Sequence, residues 1–182
     1  MRKPKIFALV GGICRDSLSR KLFNIFKEQS SQLMEFDFFD LSALPFFSQD
    51  IEYDPPQAVE DFKNLIRASD GILVVTPEYN RSFPGALKNA LDWGSRPTGQ
   101  CLWSGKPAGL IGTSPGALGT FGAQAQLRQV LSFLDMRIMN QPEFYLQFPR
   151  ELENGKLPVS TRDFLQRYIE KFQDWVKSHM SE

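Results

Sequence analysis

Thr76-Pro77-Glu78-Tyr79-Asn80-Arg81-Ser82-Phe83-Pro84-Gly85 decides the fold, together with the runs on either side of it. Before it stands Ile72-Leu73-Val74-Val75, short and β-branched, which predicts a buried strand over residues 71–75. After it stands Ala86-Leu87-Lys88-Asn89-Ala90-Leu91-Asp92-Trp93, rich in helix formers. Pro77 cannot donate to a ladder and biases Thr76 towards an extended conformation, so the strand should stop there. Pro84 suits the first turn of a helix, with Ser82 as its expected N-cap. Between strand and helix lies a polar loop at the carboxyl end of a strand, where open α/β sheets bind ligands. The same residues also suit an ordinary βα connection with two prolines.

Working outward, 182 residues make one domain the default and allow a substantial core. Twenty-one basic residues balance 21 acidic ones, so no field favours nucleic acid or an anionic membrane as partner. Phenylalanine, at 16 residues, dominates the aromatics; it fills cores, and a surplus also suits a planar ligand or a subunit interface. Cys14 and Cys101 are far apart and form no CxxC pair, which fits a reducing compartment. The apolar run Ile6 to Val10 behind Met1-Arg2-Lys3-Pro4 is too short for a signal core or a membrane span, so a soluble, cytoplasmic protein is expected.

In chain order, Lys5 to Val10 reads as a buried strand ended by Gly11-Gly12. Leu18, Leu22, Ile25 and Phe26 then recur at helical spacing, with Asp16 or Ser17 as the cap. A glycine turn feeding a helix amino terminus suits a phosphate: free N–H groups and the helix dipole face the anion. Ser17, Ser19 and Arg15 or Arg20 can add donors. GxGxxG and GxxxxGK[ST] are both missing, so neither the dinucleotide fingerprint nor the P-loop applies, and a plain capped helix remains an alternative.

Met34 to Asp40 reads as a second strand, and Leu41 to Asp54 as an irregular excursion with Asp50, Glu52 and Asp54 solvated. Val59, Phe62, Leu65 and Ile66 mark a helix. Pro107 to Gly112 predicts a fourth strand, leading to the loop Thr113-Ser114-Pro115-Gly116-Ala117-Leu118-Gly119. Gln124 to Leu134 predicts a helix, Arg137-Ile138-Met139 opens a short fifth strand, and Pro149 to Pro158 is a polar connector. Phe164, Tyr168, Phe172 and Trp175 form the aromatic stripe of a last helix. Strands alternating with helices predict a parallel sheet covered on both faces, with loops from the first, third and fourth strands converging at a switch point.

Several chemistries fall away. His179 is the lone histidine and sits among the last residues, which leaves no Ser-His-Asp triad or histidine-bound metal. Cys14 at a helix amino terminus could be a nucleophile but has no imidazole partner. Glu78 could act as an acid or base, yet it more simply bonds a ligand or a backbone group. Such a site suits a cofactor that carries its own chemistry.

At these motifs the chain resembles the NADPH-dependent FMN reductase family of the flavodoxin-like superfamily, in its bacterial quinone/chromate reductase branch. The resemblance rests on Thr76-Pro77-Glu78-Tyr79-Asn80, Pro84-Gly85 and Lys88-Asn89-Ala90-Leu91-Asp92-Trp93. Gly112-Thr113-Ser114-Pro115-Gly116, Leu127-Arg128-Gln129-Val130-Leu131 and Met139-Asn140-Gln141-Pro142-Glu143-Phe144 add to it, so that it runs from about Lys5 to Phe144. The first loop departs from the family's G-S-x-R-x-x-S-x-N-R: Gly12 stands for the first serine, Cys14 for the arginine and Ser19 for the asparagine, while Ser17 and Arg20 remain. Losing an arginine–phosphate pair weakens FMN retention by about 1–3 kcal/mol, which Arg15 could offset.

The resemblance implies a flavodoxin-like three-layer α/β/α sandwich with a five-stranded parallel sheet of order 2-1-3-4-5. It implies FMN as cofactor, with Gly12, Cys14, Arg15, Ser17, Leu18 and Ser19 around the phosphate. Pro77, Glu78, Tyr79 and Asn80 would run along the isoalloxazine, and Ser114, Pro115 and Gly116 would border the ring or ribityl chain. NADPH or NADH is the implied donor, and a quinone-like molecule (by analogy chromate, azo or nitro compounds) the implied acceptor. A homodimer or homotetramer with the flavin near a subunit boundary is also implied. A flavodoxin-type electron carrier and an FMN-binding protein without turnover are the alternatives.

Overall fold

The run Gly71–Thr76 is the central strand β3, buried along its whole length in the computed structural model, which describes residues 2–148 and 156–180. On one side it pairs with β1, Lys5–Val10, and beyond that lies β2, Glu35–Phe38. On the other side it pairs with β4, Pro107–Ser114. The next position is shared by two segments, β5, Arg137–Ile138, and β6, Phe144–Gln147, both paired with β4. All pairings are parallel and the order is β2-β1-β3-β4-β5, as expected of a flavodoxin-like sheet.

Alternation along the strands sends side chains to two separate cores. Ile6, Ala8, Val10, Leu73, Val75 and Ile111 face α1, Leu18–Gln29, and α5, Val159–Lys177. Phe7, Leu9, Ile72, Val74 and Leu110 face α2, Gln57–Ala68, α3, Gly85–Gly94, and α4, Phe121–Phe133. This is the doubly wound, three-layer arrangement. Much of the phenylalanine serves it: Phe7, Phe26, Phe62, Phe144 and Phe172 are fully buried, and Phe26 meets Tyr168 and Phe172 edge-on. The aromatic stripe of α5 is core, as its spacing predicts.

Several expectations shift. Ser82 does not cap α3; Pro84 holds the N-cap position and Ser82 belongs to the preceding turn. β2 is shorter than Met34 to Asp40, because Asp40 instead accepts from the Ser42 N–H and caps a short 3-10 turn. β4 runs on to Ser114, and α4 starts at Phe121 rather than Gln124. The fifth strand is interrupted where Pro142, without an N–H, cannot join the ladder. Glu52 is not solvated: it is buried, accepts from the Thr98 backbone N–H at 3.3 Å and lies 3.8 Å from the Arg96 guanidinium. Of the connector, residues 149–155 lie outside the described residues, as does Met1.

Candidate functional site

Register levels the carboxyl ends of the three inner strands: Val10 lies opposite Val75, and Thr76 opposite Gly112. Gly11 N–H donates to the Val75 carbonyl at 2.9 Å, so the first loop leaves the sheet beside the third. A Cβ on Gly11 would already touch Pro77 and Pro84, each at 3.3 Å. The predicted convergence of three loops is therefore present.

The first loop forms a cradle. Ser17 caps α1, its Oγ accepting from the Arg20 N–H at 3.3 Å. The next amides, those of Leu18 and Ser19, have no acceptor within the helix, as at any helix start. Gly12 is buried against the same serines; a Cβ there would lie 2.2 Å from Ser17 Oγ and 3.2 Å from Ser19 Oγ. Ser19 Oγ is buried yet has no hydrogen-bond partner. A buried hydroxyl left unpaired costs free energy, about 1–3 kcal/mol, unless a ligand completes it. Cys14 and Arg15 are exposed on the outside of the turn. The Arg20 guanidinium lies over the Phe38 ring, 4.3 Å from its centroid. Leu18 packs against the core that α1 shares with α5.

The third-strand loop is a tight reversal. Tyr79 and Ser82 exchange backbone hydrogen bonds of 2.9 Å in both directions, with Asn80 and Arg81 at φ 51° and 66°. Two consecutive left-handed residues make a type I′ turn, which asparagine tolerates and arginine adopts at a cost. The turn is held from outside: Ser82 Oγ is 2.7 Å from Gln126 Oε1, and Gln126 Nε2 donates to the Arg81 carbonyl at 3.0 Å. Pro77 is buried, whereas Tyr79 and Asn80 are exposed towards the open edge of the site. Both oxygens of the Glu78 carboxylate are engaged: Oε2 accepts from the Ala123 N–H at 3.0 Å, and Oε1 lies 3.5 Å from the Arg81 guanidinium.

The fourth-strand loop is organised by Ser114, whose Oγ donates to the Gly119 carbonyl and accepts from the Gly116 N–H at 3.2 Å. Gln147 Nε2 donates to the Pro115 carbonyl at 3.0 Å. Gly119, at φ 56°, lies so close to Tyr145 that a Cβ would sit 3.0 Å away. Burial first, then Glu143, pushes the Tyr145 hydroxyl up to about 12, so it stays neutral near pH 7. Pro115 and Gly116 are exposed. Every predicted site residue thus lies on one of the three converging loops or at the start of α1, with serine hydroxyls and backbone groups its main polar equipment. Two features escaped the sequence reading. Gln126 has the sequence signature of any other helix residue, and Thr113, a buried hydroxyl without a partner, lies past Gly112, where the sequence predicts the end of β4.

Among the described residues, no group of three acidic, histidine or cysteine side chains could hold a metal, and no helix is long and apolar enough to cross a membrane.

Comparison with known proteins gives a consistent picture. The sequence profile described as NADPH-dependent FMN reductase matches residues 4–150. A 2-hydroxy-1,4-benzoquinone reductase from Burkholderia sp is 46% identical over 95% of this chain and 96% of its own. The structure of FerB, a flavoenzyme NAD(P)H:(acceptor) oxidoreductase from Paracoccus denitrificans, superposes with a TM-score of 0.91 at 38% identity, covering 97% of this chain and 98% of that one. A flavodoxin variant from Pseudomonas aeruginosa superposes with a TM-score of 0.60 at 19% identity over 95% of this chain and 99% of its own, a likeness of fold alone.

Proposed function

The chain belongs to the NADPH-dependent FMN reductase family, and we propose from that premise that it is an FMN-dependent NAD(P)H oxidoreductase acting on quinones. The observation in this chain that carries the reading is the unpaired, buried Ser19 Oγ at a cradle where Gly12 leaves no room for a side chain. That arrangement fits a phosphate ester. An anion there gains from the helix dipole and from several N–H donors at once, even without the arginine that Cys14 replaces.

FMN held at these loops would supply the redox chemistry, hydride acceptance from NAD(P)H and electron delivery to the acceptor. The residues of this chain bind and orient. We assign the phosphate to Ser17 and Ser19 hydroxyls and to backbone groups of Gly12, Cys14, Arg15 and Leu18. Pro77, Glu78, Tyr79 and Asn80 line one edge of the ring with peptide groups, the Glu78 carboxylate fixing that loop to α4. Ser114, Pro115 and Gly116 form the opposite border.

A homodimer or homotetramer is part of the proposal; Phe46, Tyr53 and Phe133, exposed by 85%, 81% and 88%, are candidates for burial between subunits. The two free cysteines suit the cytoplasm. Steady-state oxidation of NADPH or NADH by the FMN-loaded protein tests the function. Quinone-dependent turnover is expected, and an absence of turnover with either donor at full flavin occupancy would leave only an electron carrier.

A further inference from the structure

At the opposite, amino-terminal edge of the sheet a cavity of about 520 Å³ opens between the segments entering β3 and β4, the start of β5 and the end of α5. A six-residue strand separates it from the flavin loops by about 20 Å. Its walls carry more positive charge than their own partners neutralise. The Lys106 ammonium is half-buried, donating to the Ser69 carbonyl, and burial pushes its pKa down with only the Asp70 charge opposing. Asp70 is itself engaged, accepting from both terminal nitrogens of Arg2 and from the Lys5 N–H. The Arg137 guanidinium, which lines the cavity, has no hydrogen bond or ion pair among the described residues. On the acidic side, Asp135 accepts from Ser104 at the rim.

His179 completes the wall. Its Nδ1 lies 2.7 Å from the Trp175 carbonyl, which can only accept, so Nδ1 carries the hydrogen and Nε2 is left for another partner. An ammonium and a planar guanidinium fork on one polar cavity form a set of donors suited to a phosphoryl group, with the imidazole Nε2 beside them as a reporter of its occupancy. The volume exceeds that of phosphate alone and admits an ester.

We propose that this cavity binds a dianionic phosphoryl group, held by Lys106 and Arg137 beside His179, at a site separate from the flavin phosphate.

The lone histidine provides the test, since its imidazole gives a single set of proton resonances in the full chain. FMN-loaded protein, its flavin site filled, is titrated with inorganic phosphate and in parallel with AMP, at ionic strength matched with chloride. A saturable shift of the His179 signal by phosphate is expected. Saturation by AMP as well identifies a phosphate ester as an acceptable occupant, and saturation by phosphate alone identifies the free anion. Arg137→Gln, an exposed change, should weaken binding on the order of tenfold with flavin content unchanged. A shift that chloride reproduces, or an affinity that Arg137→Gln and Lys106→Met both leave intact, overturns the proposal.

Discussion

The Glu78 carboxylate accepts a hydrogen bond of 3.0 Å from the backbone N–H of Ala123, in the first turn of α4. Thr120, the N-cap of that helix, makes no side-chain cap bond, so Glu78 supplies from the third-strand loop the acceptor that the helix lacks locally. The charge also lies at the positive end of the helix dipole. One interaction thereby ties the third-strand loop to the helix that follows the fourth-strand loop.

Glu78→Ala should lower stability by about 1–2 kcal/mol, in line with loss of a helix cap. Glu78→Gln keeps an acceptor oxygen and should lose less. Urea denaturation reads the difference. If Glu78→Gln kept stability and flavin but lost turnover, the carboxylate would have a proton-transfer role beyond this structural one.

Ser19→Ala separates binding from folding. Removing a buried hydroxyl without a partner should leave the apo protein as stable as before, or more so, because nothing is unpaired by the change. FMN affinity should fall by about 1.5–3 kcal/mol, roughly tenfold or more, through loss of a charge-assisted hydrogen bond. Fluorescence titration with FMN measures it. Gly12→Ala, whose Cβ would lie 2.2 Å from Ser17 Oγ, should cost still more flavin affinity by displacing the cap of α1.

How much of this was legible in the sequence depends on the range of the interaction. The β-branched run into Thr76-Pro77 and the glycines after Val10 are local signals, and both strands end where those residues predict. Ser82 has the neighbours of a capping residue, whereas the left-handed Asn80-Arg81 pair uses it to close a turn. The acidic neighbours of Glu52 predict a solvated side chain, but its partners Thr98 and Arg96 are more than forty residues away and leave no local trace. Glu78 shows the same limit, since its bond to Ala123 spans two elements.

The motif residues Asn89 and Trp93 have a structural duty outside the ligand loops. Asn89 accepts from the Phe47 N–H at 2.8 Å and donates to the Pro45 carbonyl at 2.9 Å, which Trp93 Nε1 also reaches at 2.8 Å. Asn89→Ala strands the Phe47 N–H and should cost about 1–3 kcal/mol by urea denaturation. Its effect on FMN affinity should be much smaller than that of Ser19→Ala.

Stability should depend on pH through Asp70. Burial pushes its carboxyl up, but hydrogen bonds from Arg2 and the Lys5 N–H, with the Arg2 charge, outweigh it and hold the pKa below the usual carboxylate value. A pKa lowered by folding contributes stability above the unfolded value, near 4, and that contribution is lost as pH falls through the folded one. The Tm gap between wild type and Asp70→Asn should therefore be widest near neutral pH and narrow below about pH 4. A gap independent of pH across that range would assign the effect to packing instead.

The most direct test of the central claim is an anaerobic half-reaction. The protein is loaded with FMN, freed of excess flavin and mixed with NADPH or NADH while the visible flavin band is followed; 1,4-benzoquinone is then added. Bleaching by a nicotinamide and recovery of the band with the quinone is the predicted result. A flavin that stays bound and oxidised in the presence of both donors would contradict the account.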